Sequence, residues 1–193
     1  MTQFLRQLFI MTVYNPTQAA SVLLDRAVSR DAAWSILALG VILNTLLYFL
    51  STTLFPMPPE FTLPLLRSPV MVGTILGLVV FIFAFVFYWL GRVMGGQGTF
   101  DHILLMMGWL QFMRLFVQFS SLMLMLFLPG IAQLFVLGAG LYGAWIVVNF
   151  LNVAHQYDSL GKAVMLLMLT LFGLVIGMSI VLSVIGVTTV GLA

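Results

Sequence analysis

Arg114 lies in the middle of a long apolar run, and Gln111, Arg114, Gln118 and Ser121 follow one another there at steps of three, four and three residues. Those steps put all four on one face of a helix. A guanidinium at mid-membrane costs about 3 kcal/mol or more, so such a stripe turns toward a bundle interior, a water-filled space or a partner. The chemistry it offers is recognition of an anion, a lipid headgroup or a partner subunit. The bland alternative is an internal polar clamp between helices, with the guanidinium snorkelling. Asn44, Asn149 and Asn152, inside other apolar runs, are the polar side chains available to pair with it.

Other chemistry is scarce. The chain has five acidic residues, none inside an apolar run, which leaves no Ser-His-Asp set and no intramembrane Asp pair. There is no Cys, so thiolate nucleophiles and thiolate metal sites are excluded. His102 and His155 stand near Asp101 and Asp158 without a metal-ligand spacing. The 13 Met residues form no repeated ligand pattern and read as adaptable packing. Gly95-Gly96-Gln97-Gly98 resembles a phosphate loop only superficially, because no Lys-Ser/Thr follows and no strand precedes. The expectation is no catalytic residues, no metal and no cofactor.

The elements that position these residues are hydrophobic runs. The chain of 193 residues is 63% hydrophobic and 6% charged, against about 25% charged in soluble domains. Apolar runs cover about 32–55, 68–90, 103–128, 131–153 and 163–190. At about 1.5 Å per residue each crosses a hydrocarbon core of about 30 Å as a helix. The runs do not alternate as barrel strands do. The fold class is therefore all-α: a polytopic membrane protein, a bundle of five transmembrane helices over 32–193.

Residues 1–31 precede the first span. Phe4, Leu8 and Met11 recur at helical spacing, and Asn15-Pro16 is a helix start. One or two amphipathic helices lying along the membrane surface are expected there. No cleavable signal peptide is read in this segment, so the first span is expected to direct insertion. Gly73 with Gly77 and Gly173 with Gly177 are spaced for close helix packing. Arg6, Arg26, Arg30, Arg92 and Lys162 fall on one side of alternating spans and Arg67 on the other, which puts the N-terminus in the cytoplasm and the C-terminus outside. A net charge of +2, so scattered, implies no nucleic acid.

Three local features resemble the Yip-one domain family of membrane proteins, named for interaction with Ypt/Rab GTPases. Asn15-Pro16-Thr17 is similar to its Pro-containing lead-in. Gly95-Gly96-Gln97-Gly98-Thr99-Phe100 is similar to its Gly-Gly-x-Gly-Ser/Thr-Phe segment between spans two and three. His155, Ser159, Lys162 and Ala163 are similar to its basic loop before span five. Eukaryotic members carry a longer soluble N-terminal region with an Asp-Leu-Tyr-Gly-Pro type motif. That motif is missing here, so the resemblance is to a compact bacterial member and GTPase binding is not implied. It implies a non-enzymatic factor in membrane organisation or trafficking, in the inner membrane, touching lipid and a membrane-protein partner or a second copy. The competing reading is a small transporter or channel for an anion or lipid built on Gln111, Arg114 and Gln118.

Overall fold

The computed structural model describes residues 2–56 and 68–184, and every element within them is helical. The loop with Glu60 and Arg67 and the end of the last span beyond 184 lie outside the described residues. The helices are α1 (Thr2–Tyr14), α2 (Pro16–Leu24), α3 (Arg30–Leu54), α4 (Pro69–Val93), α5 (Phe100–Phe127), α6 (Pro129–His155) and α7 (Leu160–Val184). Among them α3 to α7, five helices, are long and apolar enough to cross a membrane.

Polar caps set the boundaries. The Asn15 side chain accepts from the Gln18 amide at 3.2 Å and Pro16 opens α2, as the Asn-Pro pair predicts. Ser29, Ser68 and Thr99 cap α3, α4 and α5 in the same way. These caps explain why α3 and α5 begin a little before the apolar runs do. Only Leu128 separates the end of α5 from Pro129, which starts α6, so α5 and α6 form a tight antiparallel hairpin.

Helix α5 is the hub, packing against α2, α3, α4 and α6. Seven consecutive residues, Ile103–Trp109, are buried, so this part of α5 is covered on all sides. Its most extensive neighbour is α3. The two come closest where small residues remove side chains: a Cβ at Gly40 would sit 2.6 Å from Gln111 Cβ, and one at Gly108 would sit 2.9 Å from Ile36 Cγ2.

The α1–α2 pair is docked on the bundle. Leu8 and Thr12 are wholly buried. Thr12 Oγ1 accepts from Trp109 Nε1 at 3.0 Å and donates to the Leu8 carbonyl at 2.7 Å. Phe9 meets Phe116 edge-to-face at 4.7 Å, and the Tyr142 hydroxyl donates to the Val13 carbonyl. Thr17 Oγ1 donates to Asn149 Oδ1 at 2.8 Å. Phe116 lies about 24 Å along α5 from Phe100, so α1 reaches well down the side of the bundle.

Candidate functional site

The segment Gly91–Phe100 and the end of α6 build one compact structure from two helix termini. Helix α4 closes with Gly95 in the left-handed region at φ 86°, where the Gly95 N–H donates to Arg92 O at 3.0 Å and the Gly96 N–H to Gly91 O at 2.9 Å. That is the Schellman pattern, and glycine occupies its left-handed position without steric cost. Helix α6 closes the same way with Gln156 at φ 53°: the Gln156 N–H donates to Val153 O at 3.1 Å and the Tyr157 N–H to Asn152 O at 3.0 Å. Two cross-ties join these ends. The Gln97 N–H donates to His155 O at 3.0 Å, and the Tyr157 hydroxyl donates to Gly91 O at 2.8 Å.

The His155 ring fills the space between them and is fully buried. A Cβ at Gly91 would overlap the ring atoms Cε1 and Nε2. One at Gly96 or at Gly98 would stand 2.7 Å from Nδ1. Tyr157 stacks on the imidazole at 5.3 Å. Neither ring nitrogen has a hydrogen-bond partner among the described residues. The glycines are therefore the walls of a histidine cradle, and their absent side chains are what admits the ring. The amides of Gly95, Gly96 and Gln97 are all spent on carbonyls. They are not free to hold a phosphate, which removes the physical basis of a nucleotide reading.

Thr99 and Phe100 complete the segment. Thr99 Oγ1 accepts from the His102 amide at 3.3 Å and starts α5. Phe100 packs between Tyr88 of α4 at 5.5 Å and Trp34 of α3 at 6.3 Å. Beside it Arg30 and Asp101 pair at 2.8 Å on the surface. No group of three or more metal-binding side chains occurs among the described residues; His102 and Asp158 do not join His155.

The sequence of the chain matches the Yip1 domain over residues 11–187. The chain belongs to the Yip1 domain family. No curated protein and no solved structure matches it. Within this Yip1 member the glycine segment is a piece of architecture: it binds the end of α4 to the end of α6 across the start of α5. Burial holds the Tyr157 phenol above its ordinary pKa of 10.0. The native state thus keeps the phenolic proton more tightly than the unfolded chain. The contribution is complete below about pH 10 and is lost as pH rises through the folded pKa. Tyr157→Phe should remove the hydroxyl bond to Gly91, cost about 1 kcal/mol and flatten the alkaline limb of detergent melting curves measured between about pH 8 and 11. An unchanged alkaline limb would mean that this phenol plays no part.

The polar stripe is divided. Gln111 is buried against α3, where Asn44 Nδ2 donates to Gly40 O at 2.8 Å, to Gln111 O at 3.0 Å and to Gln111 Oε1 at 3.3 Å. Arg114 is exposed and has no hydrogen bond or ion pair among the described residues. A step of three residues falls about 60° short of a full turn, which carries Arg114 past the edge of the α3 contact that covers Gln111. Gln118 and Ser121 line a cavity of about 460 Å³ between α3, α5 and α6. The asparagines serve other partners than Arg114: Asn44 holds Gln111, Asn149 joins Thr17, and Asn152 Oδ1 is buried without a partner among the described residues. The Thr17–Asn149 and Thr12–Trp109 bonds were invisible to sequence reading, because nothing in the chain says which span α1 and α2 lie against.

Proposed function

We propose that this Yip1 protein is a non-catalytic accessory or membrane-organising factor that acts through helix contacts with a distinct membrane-protein partner. The observation that carries this is Arg114, presented outward midway along α5. Two cavities, one beside α1, α3 and α5 and one at the α5–α6 turn, are both lined without it, which favours docking over a transport path. A second copy does not supply a mid-span carboxylate, because the five acids of the chain, Asp25, Asp31, Glu60, Asp101 and Asp158, all stand at span ends or in loops. The partner is therefore a different chain carrying Asp or Glu within a span, for which Arg is the suited counter-ion. The excess of basic residues beside the N-terminus and the even-numbered loops supports an inner-membrane orientation with that end in the cytoplasm.

Affinity purification from native membranes tests this. The wild-type chain should recover a stoichiometric membrane partner. Arg114→Leu should recover at least about tenfold less, equivalent to about 1.4 kcal/mol, and Arg114→Lys should retain most of it. Recovery of the chain alone, with solute flux in reconstituted liposomes, would overturn the proposal in favour of a transporter.

A further inference from the structure

The cavity of about 460 Å³ at the α5–α6 turn lies on the face of α5 that carries Arg114. Its α5 wall holds Gln118 and Ser121, four and seven residues after Arg114, hence one and two turns along the same face. Its α6 wall includes Val136 and Leu137, which are 47% and 66% exposed, so the cavity opens to the outside of the bundle. One polar side-chain atom in the lining is both buried and without a partner among the described residues, Gln118 Oε1. The hydroxyls of Ser51 and Thr52, in the same lining, do not serve it: they donate to the Tyr48 and Phe49 carbonyls at 2.8 and 3.0 Å. An amide oxygen left unpaired in hydrocarbon is costly, and what it lacks is a donor.

Depth decides where a donor can come from. The 28 residues of α5 extend about 42 Å, some 12 Å more than a hydrocarbon core of about 30 Å. Centred on that core, α5 leaves about 6 Å in the interface at each end. Gln118 stands about 14 Å from the Phe127 end, so about 8 Å inside the hydrocarbon, and Arg114 about 20 Å from it, close to the midplane. Acyl chains carry no donor, and ester linkages and headgroups stay at the edge. A side chain on a neighbouring helix can be held at this depth.

Resting on the reading of Arg114 as a partner contact, we infer that the docking helix carries an Asn or Gln one turn from its Asp or Glu, and that this amide enters the cavity and bonds Gln118. The spacing follows from the rise of about 6 Å between Arg114 and Gln118, which two helices packed side by side must share. A carboxamide both donates and accepts, so it pairs with the whole Gln118 amide. The two ends of that amide are nearly isosteric, and a half-turn about its last bond brings either one to the cavity. A hydroxyl would leave one end unpaired, and a second cation would be repelled by Arg114. The apolar part of the lining, Leu122, Met125, Val136 and Leu137, receives the aliphatic side chains that flank the amide.

The test uses Lys-flanked polyleucine peptides of about 22 residues as the partner helix. Their binding to the full chain in phosphatidylcholine bicelles is read by energy transfer, at contents where the peptides show no transfer among themselves. The peptide with a central Glu should bind at least about tenfold more tightly than polyleucine alone. Adding Asn four residues before or after that Glu should, in one of the two cases, tighten binding at least about fivefold more. Asn two residues away, on the opposite face, should add nothing. Gln118→Met should remove the gain from Asn and leave the gain from Glu. A gain from Glu with none from Asn at either position overturns the inference and leaves the Arg114 contact standing. Equal binding of the Glu peptide and polyleucine overturns both. The wild-type series decides the matter even if Gln118→Met misfolds; a folded Gln118→Met chain that still rewards Asn also overturns the inference.

Discussion

Gly91→Ala should abolish stable folding in detergent. The new methyl would occupy the space of the His155 ring, and the ring has nowhere to go: Gly96 and Gly98 press on Nδ1 and Tyr157 covers a face. Overpacking of a rigid site costs about 3 kcal/mol or more, a large share of the margin of a domain this size. The loss should appear as a fall in melting temperature and in the fraction that survives size exclusion after heating. The clash has one identifiable partner, so it should couple. In a His155→Ala background the same substitution should be tolerated, with a coupling energy of roughly 2 kcal/mol in a double-mutant cycle. Additive effects of the two changes would show that the cradle does not exist as described.

Gly40→Ala should be the next most damaging single change. The added Cβ would stand 2.6 Å from Gln111 Cβ, where carbon atoms rest at about 3.5–4.0 Å. Both atoms are fixed to helix backbones, so α3 and α5 must part by about 1 Å and loosen the Asn44–Gln111 bonds. The gain in helix propensity, about 1 kcal/mol, does not offset this; the net cost should be about 2 kcal/mol. A graded series gives the check. Gly108→Ala should cost somewhat less, because its contacts are longer: Ile36 Cγ2 at 2.9 Å and the Leu37 backbone nitrogen at 3.3 Å. Gly138→Ala meets nothing within 4 Å and should be neutral or slightly stabilising. Gln111→Gly should rescue Gly40→Ala in part by removing the opposing Cβ. Equal effects at Gly40 and Gly138 would contradict the close seam.

The hydrophobic runs made the fold legible, because a span needs only length and apolarity, and both can be counted. Local caps were equally readable: Asn15-Pro16 and Thr99 act within a few residues of themselves. Glycine spacing was a weaker guide. The pairs Gly73 with Gly77 and Gly173 with Gly177 suggested packing. Gly73 and Gly77 do face α3, at Thr45 and Val41, whereas Gly173 and Gly177 open on empty space. Of the glycines that matter most, Gly40 stands alone in sequence and Gly91 opens a glycine-rich stretch, and their reasons are Gln111 and His155, distant along the chain. The cradle is illegible for the same cause: the ring and its walls come from opposite sides of α5. The fate of the polar stripe shows the limit of periodicity. Helical spacing puts Gln111, Arg114, Gln118 and Ser121 on one face, but the edge of α3 runs through that face. One residue is clamped, one is turned outward, and two are left in a cavity.

The outward turn of Arg114 is the center of the functional account, and a photo-crosslinking side chain at Val117 tests it most directly. Val117 is half-buried and one turn along α5 from Arg114. Irradiated in native membranes, the wild-type background should give one discrete protein adduct, lost with Arg114→Leu and kept with Arg114→Lys. The same probe at Leu141, which is 78% exposed on α6, should give lipid adducts only. Lipid adducts alone at Val117, unchanged by either substitution at Arg114, would contradict the account.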